Sequence, residues 1–198
     1  MKDSGKNKHT DWRKIIDKYY PEGCELRDIL LLHSHGVASF ALELNAQLPR
    51  PLDTLEVETA AMLHDIGIFK TYAPSIKCDG DMPYICHGYL GADLLREEDT
   101  EAKYALVCER HTGAGLTPED IDKQRIPLPA GRCYVPITPL EKLICYADKF
   151  YSKSGDMKRK PLEEVEKSIA RFGEDNLLRF RKLRDDLFYD ANLSDSLP

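Results

Sequence analysis

Six residues along this chain are candidate metal ligands: His33, His64, Asp65, His87, His111 and Asp148. Apolar residues recur at helical spacing around each of them, which predicts that each lies on the apolar edge or at the end of a helix. A carboxylate at the edge of a core needs a cation, hydrogen bonds or a metal ion to offset its desolvation. Imidazole and carboxylate ligands without thiolate suit iron, manganese, nickel, cobalt or zinc.

His64 and Asp65 are adjacent, at the end of an apolar run that begins with Leu55. Asp53 is predicted to cap this helix with Glu56 in a reciprocal pair, and Gly67 to close it in the left-handed conformation. The two polar residues would then lie on its last turn, at the edge of the core. The ordinary alternative is a His-Asp pair that closes a core hydrogen bond, and the dipeptide alone favours neither interpretation.

The next helix in importance is predicted for residues 25–48, and its apolar stripe contains His33 between Ile29 and Val37. His35 lies on a neighbouring face, so the two histidines cannot both point the same way. His33 is therefore the better candidate ligand. A single histidine on an apolar stripe can also be a core residue bonded to a backbone carbonyl.

Three further predicted helices contain the other candidates. His87 begins one helix, His111 ends the helix that starts near Thr100, and Asp148 lies in a helix that Thr138 caps. Facing helices of a bundle can bring such positions together in a core and build a metal site there. The sequence therefore predicts an all-α, single-domain helical bundle with long irregular loops.

The remaining segments are predicted to surround this bundle. We expect a disordered tail at 1–11, a helical domain at 12–155, a C-terminal helical hairpin at 156–190 packed on the same domain, and a tail at 191–198. Irregular stretches are expected from Phe69 to Tyr84 and from Gly113 to Ile137, the second with a helical turn at 118–123. No strand is predicted.

Composition narrows the function classes. The 28 Lys and Arg residues against 34 Asp and Glu residues give a net charge of −6, which argues against an extended nucleic-acid surface. No window is long and apolar enough for a membrane span. The six cysteines are scattered without a Cys-x-x-Cys pair, so a disulfide framework and a zinc ribbon are not indicated. A cytoplasmic protein fits these features best, and a homo-oligomer is compatible with them.

The order of these residues resembles a known family. His33, then His64-Asp65, then Asp148 is similar to the pattern of the HD superfamily of metal-dependent phosphohydrolases, and Leu63-His64-Asp65-Ile66-Gly67 resembles its HDIG subgroup. His87-Gly88-Tyr89 and Arg110-His111-Thr112-Gly113 resemble the extra histidine motifs of dinuclear members, which include hydrolases of diadenosine tetraphosphate. The resemblance covers about residues 28–150. In this chain Ile68 and Phe69 follow the glycine of the motif, where many relatives have a basic residue.

The resemblance implies two-metal hydrolysis of a small phosphorylated substrate, such as a nucleotide. His33, His64, Asp65 and Asp148 would hold one ion, and Asp65 would bridge to a second ion held by His87 and His111. A metal-activated hydroxide would attack phosphorus, with His64 and Asp65 as the catalytic pair. The candidate phosphate contacts are Lys70, Arg110, Lys149 and Lys153. The alternative function is a non-catalytic sensor that binds metal and a nucleotide in the same pocket.

Overall fold

Helices dominate the computed structural model, which describes residues 9–189. In that part of the chain the α-helices are α1 (Trp12–Tyr19), α2 (Glu25–Asn45), α3 (Thr54–Leu63), α4 (His87–Glu97), α5 (Ala102–Arg110), α6 (Pro118–Gln124), α7 (Pro139–Asp148), α8 (Leu162–Ala170) and α9 (Glu174–Phe188). The predicted mostly helical class is confirmed. None of the described helices combines the length and the apolar character that crossing a bilayer requires.

A small sheet follows α3, so the prediction of no strand is wrong. Its strands are β1 (Thr71–Ala73), β2 (Cys78–Asp79) and β3 (Met82–Pro83), and β1 pairs antiparallel with β2 and parallel with β3. Gly80 makes the close return possible, because a Cβ there would lie 2.2 Å from the carbonyl carbon of Lys70. Strands of two or three residues are too short to show alternation in the sequence.

The long helix α2 packs against α3 and α7, and α4 packs against α5. Buried apolar side chains from every described α-helix except α6 form one continuous core. The C-terminal hairpin belongs to it, since the ring of Phe180 stacks on Tyr146 with centroids 4.8 Å apart. The predicted domain bounds stay a prediction.

Local capping decides where the helices that flank the candidate site begin. Thr138 and Glu141 form the predicted capping box at the start of α7. Asp53 caps α3 by accepting from the Leu55 and Glu56 amides, both at 3.0 Å. The predicted reciprocal bond from Glu56 is wrong, because its carboxylate binds Lys103 instead.

The segment at 113–137 is held to the bundle by ion pairs. The Arg132 guanidinium binds Asp93 of α4 at 2.7 Å and Glu109 of α5 at 3.0 Å. Arg96 also binds Glu109, at 2.9 Å, so this buried carboxylate has two cationic partners. These ion pairs tie the segment, which contains α6, to α4 and α5. Helix α4 begins at His87, and α5 ends just before His111.

Most of the predicted N-terminal tail, and residues 190–198, lie outside the described residues. Thr10 is nevertheless buried and hydrogen-bonded to Glu101, and Asp11 caps α1.

Candidate metal centre

The structure brings all six candidate ligands into one buried cluster. They come from α2, the turn after α3, the start of α4, the residue after α5, and the end of α7. Even the most accessible of the six, Asp148, exposes only 7% of its surface. Two groups with metal-binding spacing result, and they share Asp65: His33, His64, Asp65 and Asp148 form the first set, and Asp65, His87 and His111 form the second set.

Asp65 lies between the two sets, and its two oxygens face different partners. Its Oδ2 is 3.2 Å from Nε2 of His33 and 3.0 Å from Nε2 of His64. Its Oδ1 is 3.4 Å from Nε2 of His87 and 3.4 Å from Nε2 of His111. A carboxylate placed in this way can bridge two ions.

The separations between ligand atoms fit metal coordination. Bonds of about 2.1 Å place neighbouring ligand atoms about 3.0 Å apart in octahedral and about 3.4 Å apart in tetrahedral geometry. In the first set, Nε2 of His33 lies 3.0 Å from Oδ1 of Asp148 and 3.3 Å from Nε2 of His64. Oδ2 of Asp65 has the Lys153 ammonium 2.5 Å away, whereas Oδ1 is buried without a hydrogen-bond partner, which is costly unless a cation compensates it.

Backbone carbonyls orient three of the four imidazole rings. The Nδ1 atoms of His64, His87 and His111 lie 2.6, 2.7 and 2.8 Å from the carbonyl oxygens of Ala61, Tyr84 and Cys108. In each case the carbonyl belongs to the residue three positions earlier. The ring therefore donates from Nδ1, which leaves the lone pair of Nε2 facing the cluster.

This arrangement creates a conflict that a cation resolves. Nε2 of His87 lies 3.0 Å from Nε2 of His111. Because both rings have their proton on Nδ1, neither Nε2 can donate to the other, and two lone pairs face each other at that distance. A positive ion next to both atoms turns this repulsion into coordination, so the second set fits a metal ion.

Burial and nearby charges give the second set the protonation states that metal ligands need. Burial lowers the pKa of His87 to about 3 and also lowers the pKa of His111. Burial would raise the pKa of Asp65, but the charges of His64 and Lys153 hold it well below its usual range. Ionised carboxylate and neutral imidazole are the forms that bind metal.

The first set contains two buried carboxylates, which need a nearby positive charge to offset their burial. Burial would lower the pKa of His64, but Asp65 and Asp148 outweigh that effect and raise it to about 9. A proton on His64 and a metal ion are alternative ways to compensate these two carboxylates. Metal binding at this set would therefore release a proton from His64.

His33, rather than His35, belongs to the cluster, and this agrees with the helix-face prediction. His33 is almost fully buried, whereas His35 is exposed and meets the edge of Trp12 with centroids 5.9 Å apart. His33 differs from the other three rings because its Nδ1 is buried without a partner. The orientation of the His33 ring therefore depends on how the ring packs and on the contacts of its Nε2 atom.

Gly67 holds the start of α4 against the turn that contains Asp65. The prediction of a left-handed Gly67 is wrong, since its φ is −86° and α3 already ends at Leu63. His64 and Asp65 therefore follow the helix in tight turns instead of lying on its last turn. Glycine is needed here for close approach, because a Cβ would lie 2.3 Å from the His87 carbonyl oxygen.

Two of the four predicted phosphate contacts lie at the cluster. The Lys153 ammonium is 2.5 Å from Oδ2 of Asp65, and the Lys149 ammonium is 2.5 Å from Oδ2 of Asp148. The Asp65 carboxylate raises the pKa of Lys153 against the opposing effect of burial. Lys153 therefore stays protonated.

The other two candidates make contacts elsewhere. The Arg110 guanidinium binds Glu141 at 2.9 Å and the carbonyl of Cys133 at 3.3 Å, which directs it away from the cluster. The Lys70 ammonium lies over the ring of Phe69, 5.9 Å from its centroid. The structure does not support a phosphate contact for either residue.

Sequence reasoning missed Tyr84. Its ring stacks on His87 with centroids 4.7 Å apart, its carbonyl accepts from the same histidine, and Lys153 lies 5.9 Å from its ring centroid. Its position three residues before His87 is a signal for the carbonyl contact, because a turn places that oxygen near the ring. Nothing in the sequence indicated the stacking.

Comparison with known proteins identifies the family. A family model described as HD domain matches residues 30–152. The chain belongs to the HD-domain family, as its motifs predicted.

The curated relatives are longer proteins. A tRNA (cytidine(56)-2'-O)-methyltransferase of Picrophilus torridus is 31% identical over 160 residues, which are 81% of this chain and 42% of that protein. Its namesake in Thermoplasma volcanium is 30% identical over 87% of this chain and 45% of that protein. An uncharacterized protein of Methanocaldococcus jannaschii is 34% identical over 59% of this chain and 62% of that protein. The chain thus spans less than half the length of either methyltransferase.

Two solved structures share the fold. The HD domain of the L. monocytogenes phosphodiesterase PgpH superposes with a TM-score of 0.54 at 18% identity, covering 94% of this chain and 99% of that one. The same domain in complex with cyclic-di-AMP gives a TM-score of 0.51 at 18% identity, over 93% and 95% of the two chains. At this identity the likeness concerns the fold, and the resemblance to diadenosine tetraphosphate hydrolases stays a prediction.

Proposed function

We propose that this protein is a metal-dependent phosphohydrolase that cleaves a phosphoester or phosphoanhydride bond of a small nucleotide or related metabolite. The main support is the position of Asp65, whose Oδ2 faces His33 and His64 while its Oδ1 faces His87 and His111. A carboxylate shared between two imidazole sets has the form of a two-ion site for phosphoryl transfer. The six residues of the cluster would hold the metal, with Asp65 as the bridge.

The chain's own residues would position the substrate. Divalent ions in such a centre supply an activated water and offset negative charge on the phosphoryl oxygens. Lys153 and Lys149 each have an ammonium group beside a ligand carboxylate. They are the cations placed to bind phosphate oxygens next to the centre. The ring of Tyr84, stacked on His87, forms an apolar boundary beside the second set.

A nucleotide is the substrate class that best fits the available similarities. The solved HD domain with the same fold belongs to the phosphodiesterase PgpH and has been crystallised with cyclic-di-AMP. The methyltransferase relatives do not indicate the reaction of this chain, because it spans only 42% and 45% of those proteins. A buried set of histidines and aspartates also suits hydrolysis, since an ion there can activate water.

The test combines metal analysis with turnover. Protein purified without chelator should contain divalent transition metal and should hydrolyse one or more members of a panel of nucleotides and chromogenic phosphoesters. Asp65→Ala should lose most of the metal and the activity, because both sets lose a ligand. Asp28→Ala, an exposed aspartate on α2, is the matched control and should behave as wild type.

Two results would contradict the proposal. Wild-type protein that contains no metal and takes up none on addition would refute the metal centre. Metal-loaded protein that binds nucleotides but hydrolyses none of the panel would support a non-catalytic sensor instead.

A further inference from the structure

Lys149 directly follows helix α7, and its ammonium group contacts one residue of each ligand set. It lies 2.5 Å from Oδ2 of Asp148, which belongs to the first set. It also donates to the main-chain carbonyl of His111, which belongs to the second set, at 3.0 Å. Only 14% of the Lys149 side chain is exposed. A single, largely buried cation therefore links the two sets at a point outside the ligand atoms themselves.

The carbonyl of His111 needs donors from outside its own helix. Helix α5 ends at Arg110, and the last carbonyls of a helix have no intrahelical partner. The partial negative charge at a helix C-terminus also attracts a cation. The Cys145 thiol of α7 donates to the same oxygen as Lys149, at 3.4 Å. Two side chains at the C-terminal end of α7 thus fix the main chain of His111 relative to α7.

The two oxygens of Asp148 face in different directions. Its Oδ1 lies 3.0 Å from Nε2 of His33 and 3.4 Å from Nε2 of His64, among the ligand atoms of the first set. Its Oδ2 accepts from the Lys149 ammonium. A charge-assisted hydrogen bond restricts the rotation of the carboxylate, so Oδ1 stays directed at the first set. Contacts of this kind orient ligating carboxylates in metal sites.

We propose that Lys149 is a positioning residue, which fixes the orientation of Asp148 and its separation from His111 and thereby raises the affinity of the centre for metal. The inference rests on the proposed function for the presence of the metal, and it gives Lys149 a role besides contact with phosphate. An ammonium group has three N–H donors. Two of them are engaged within the protein, so one is left for a phosphate oxygen.

The direction of the change in metal affinity separates positioning from a simple effect of charge. Lys149→Met keeps a side chain of similar length and removes the ammonium. If Lys149 acted only as a positive charge, its removal would strengthen the binding of a divalent cation, because like charges repel. Loss of a contact that orients a ligand instead weakens metal binding, by about 10–100-fold in known sites. We expect Lys149→Met to bind metal at least tenfold more weakly than wild type.

Titration of the metal-loaded full chain with a chromogenic chelator measures this affinity without any substrate. The matched control is Lys142→Met, because Lys142 lies two turns earlier on α7 and pairs with Asp186 of α9 at 2.7 Å. This control also loses a lysine–aspartate pair of α7 but should keep the wild-type metal affinity. Lys149→Arg keeps the charge and the donors, so it should retain more of the affinity than Lys149→Met.

Thermal denaturation verifies that each variant is folded. If Lys149→Met does not fold, Lys149→Gln replaces it, since its amide is too short to reach both acceptors. The proposal is overturned if the folded variant without the ammonium holds metal as tightly as wild type or more tightly, or if Lys142→Met loses as much affinity. Metal-loaded wild type that hydrolyses no phosphoester would refute the proposed function alone, because the chelator titration does not depend on turnover.

Discussion

Gly67→Ala tests whether the packing of α4 positions His87. A Cβ at this position would lie 2.3 Å from the His87 carbonyl oxygen and 2.4 Å from the Gly91 amide nitrogen. Both obstructing atoms are backbone, so no side-chain rotation relieves the clash. Ordinary contact needs about 3.4 Å, so the start of α4 must move by about 1 Å.

A movement of this size breaks the second ligand set. Coordination tolerates errors of about 0.2 Å in ligand distance, and Nε2 of His87 would shift by several times that amount from Asp65 and His111. The variant should bind about one metal ion where the wild type binds about two. Overpacking should cost about 1–3 kcal/mol of unfolding free energy, which lowers Tm by about 2–12 °C.

Elemental analysis at saturating metal and a thermal melt measure the two effects. Gly23→Ala is the matched control, because Gly23 has a φ of +76° with no atom near its missing Cβ. That change should cost about 1–2 kcal/mol through backbone strain while metal content stays at the wild-type value. A Gly67→Ala protein with full metal content and an unchanged melting temperature would refute the reasoning.

Three further predictions concern individual side chains. His33→Ala should abolish metal binding at the first set, whereas the exposed His35→Ala should leave metal content and turnover nearly unchanged; equal losses would contradict the assignment. His87→Ala and His111→Ala should each reduce the metal stoichiometry from about two to about one, and a single ion in all three proteins would exclude the dinuclear centre. Arg132→Ala leaves Glu109 paired with Arg96, so it should lower the free energy of unfolding by only about 1 kcal/mol. It should nevertheless speed tryptic cleavage within 113–137. Unchanged cleavage would show that Arg132 does not hold this segment.

Local signals in the sequence predicted much of the helical framework. The capping box of Thr138 and Glu141 fixed the start of α7, because both bonds lie within four residues. Helix periodicity separated His33 from His35, since faces of a helix follow from spacing alone. These features need no knowledge of distant parts of the chain.

The failures involve contacts between distant segments. A glycine after a helix is common both for a left-handed turn and for close approach, and only the position of α4 shows that Gly67 serves the second purpose. Likewise, the local sequence predicts that Glu56 caps α3, but in the fold its carboxylate pairs with Lys103 of α5. Arg110 preceded a ligand in sequence, but the ion pair with Glu141 of α7 directs it elsewhere.

The three i−3 carbonyl contacts to His64, His87 and His111 bear on how this site can evolve. A main-chain oxygen is present whatever side chain its residue has, so substitutions at Ala61, Tyr84 or Cys108 leave the acceptor of each ring in place. Many metal sites orient histidine through a carboxylate side chain, which a single mutation can remove. In this protein, substitutions near three of the four histidines should leave the ring orientation unchanged, because the backbone of the turn supplies the acceptor. His33 has no such acceptor, so mutations in its neighbourhood are the ones expected to change metal affinity first.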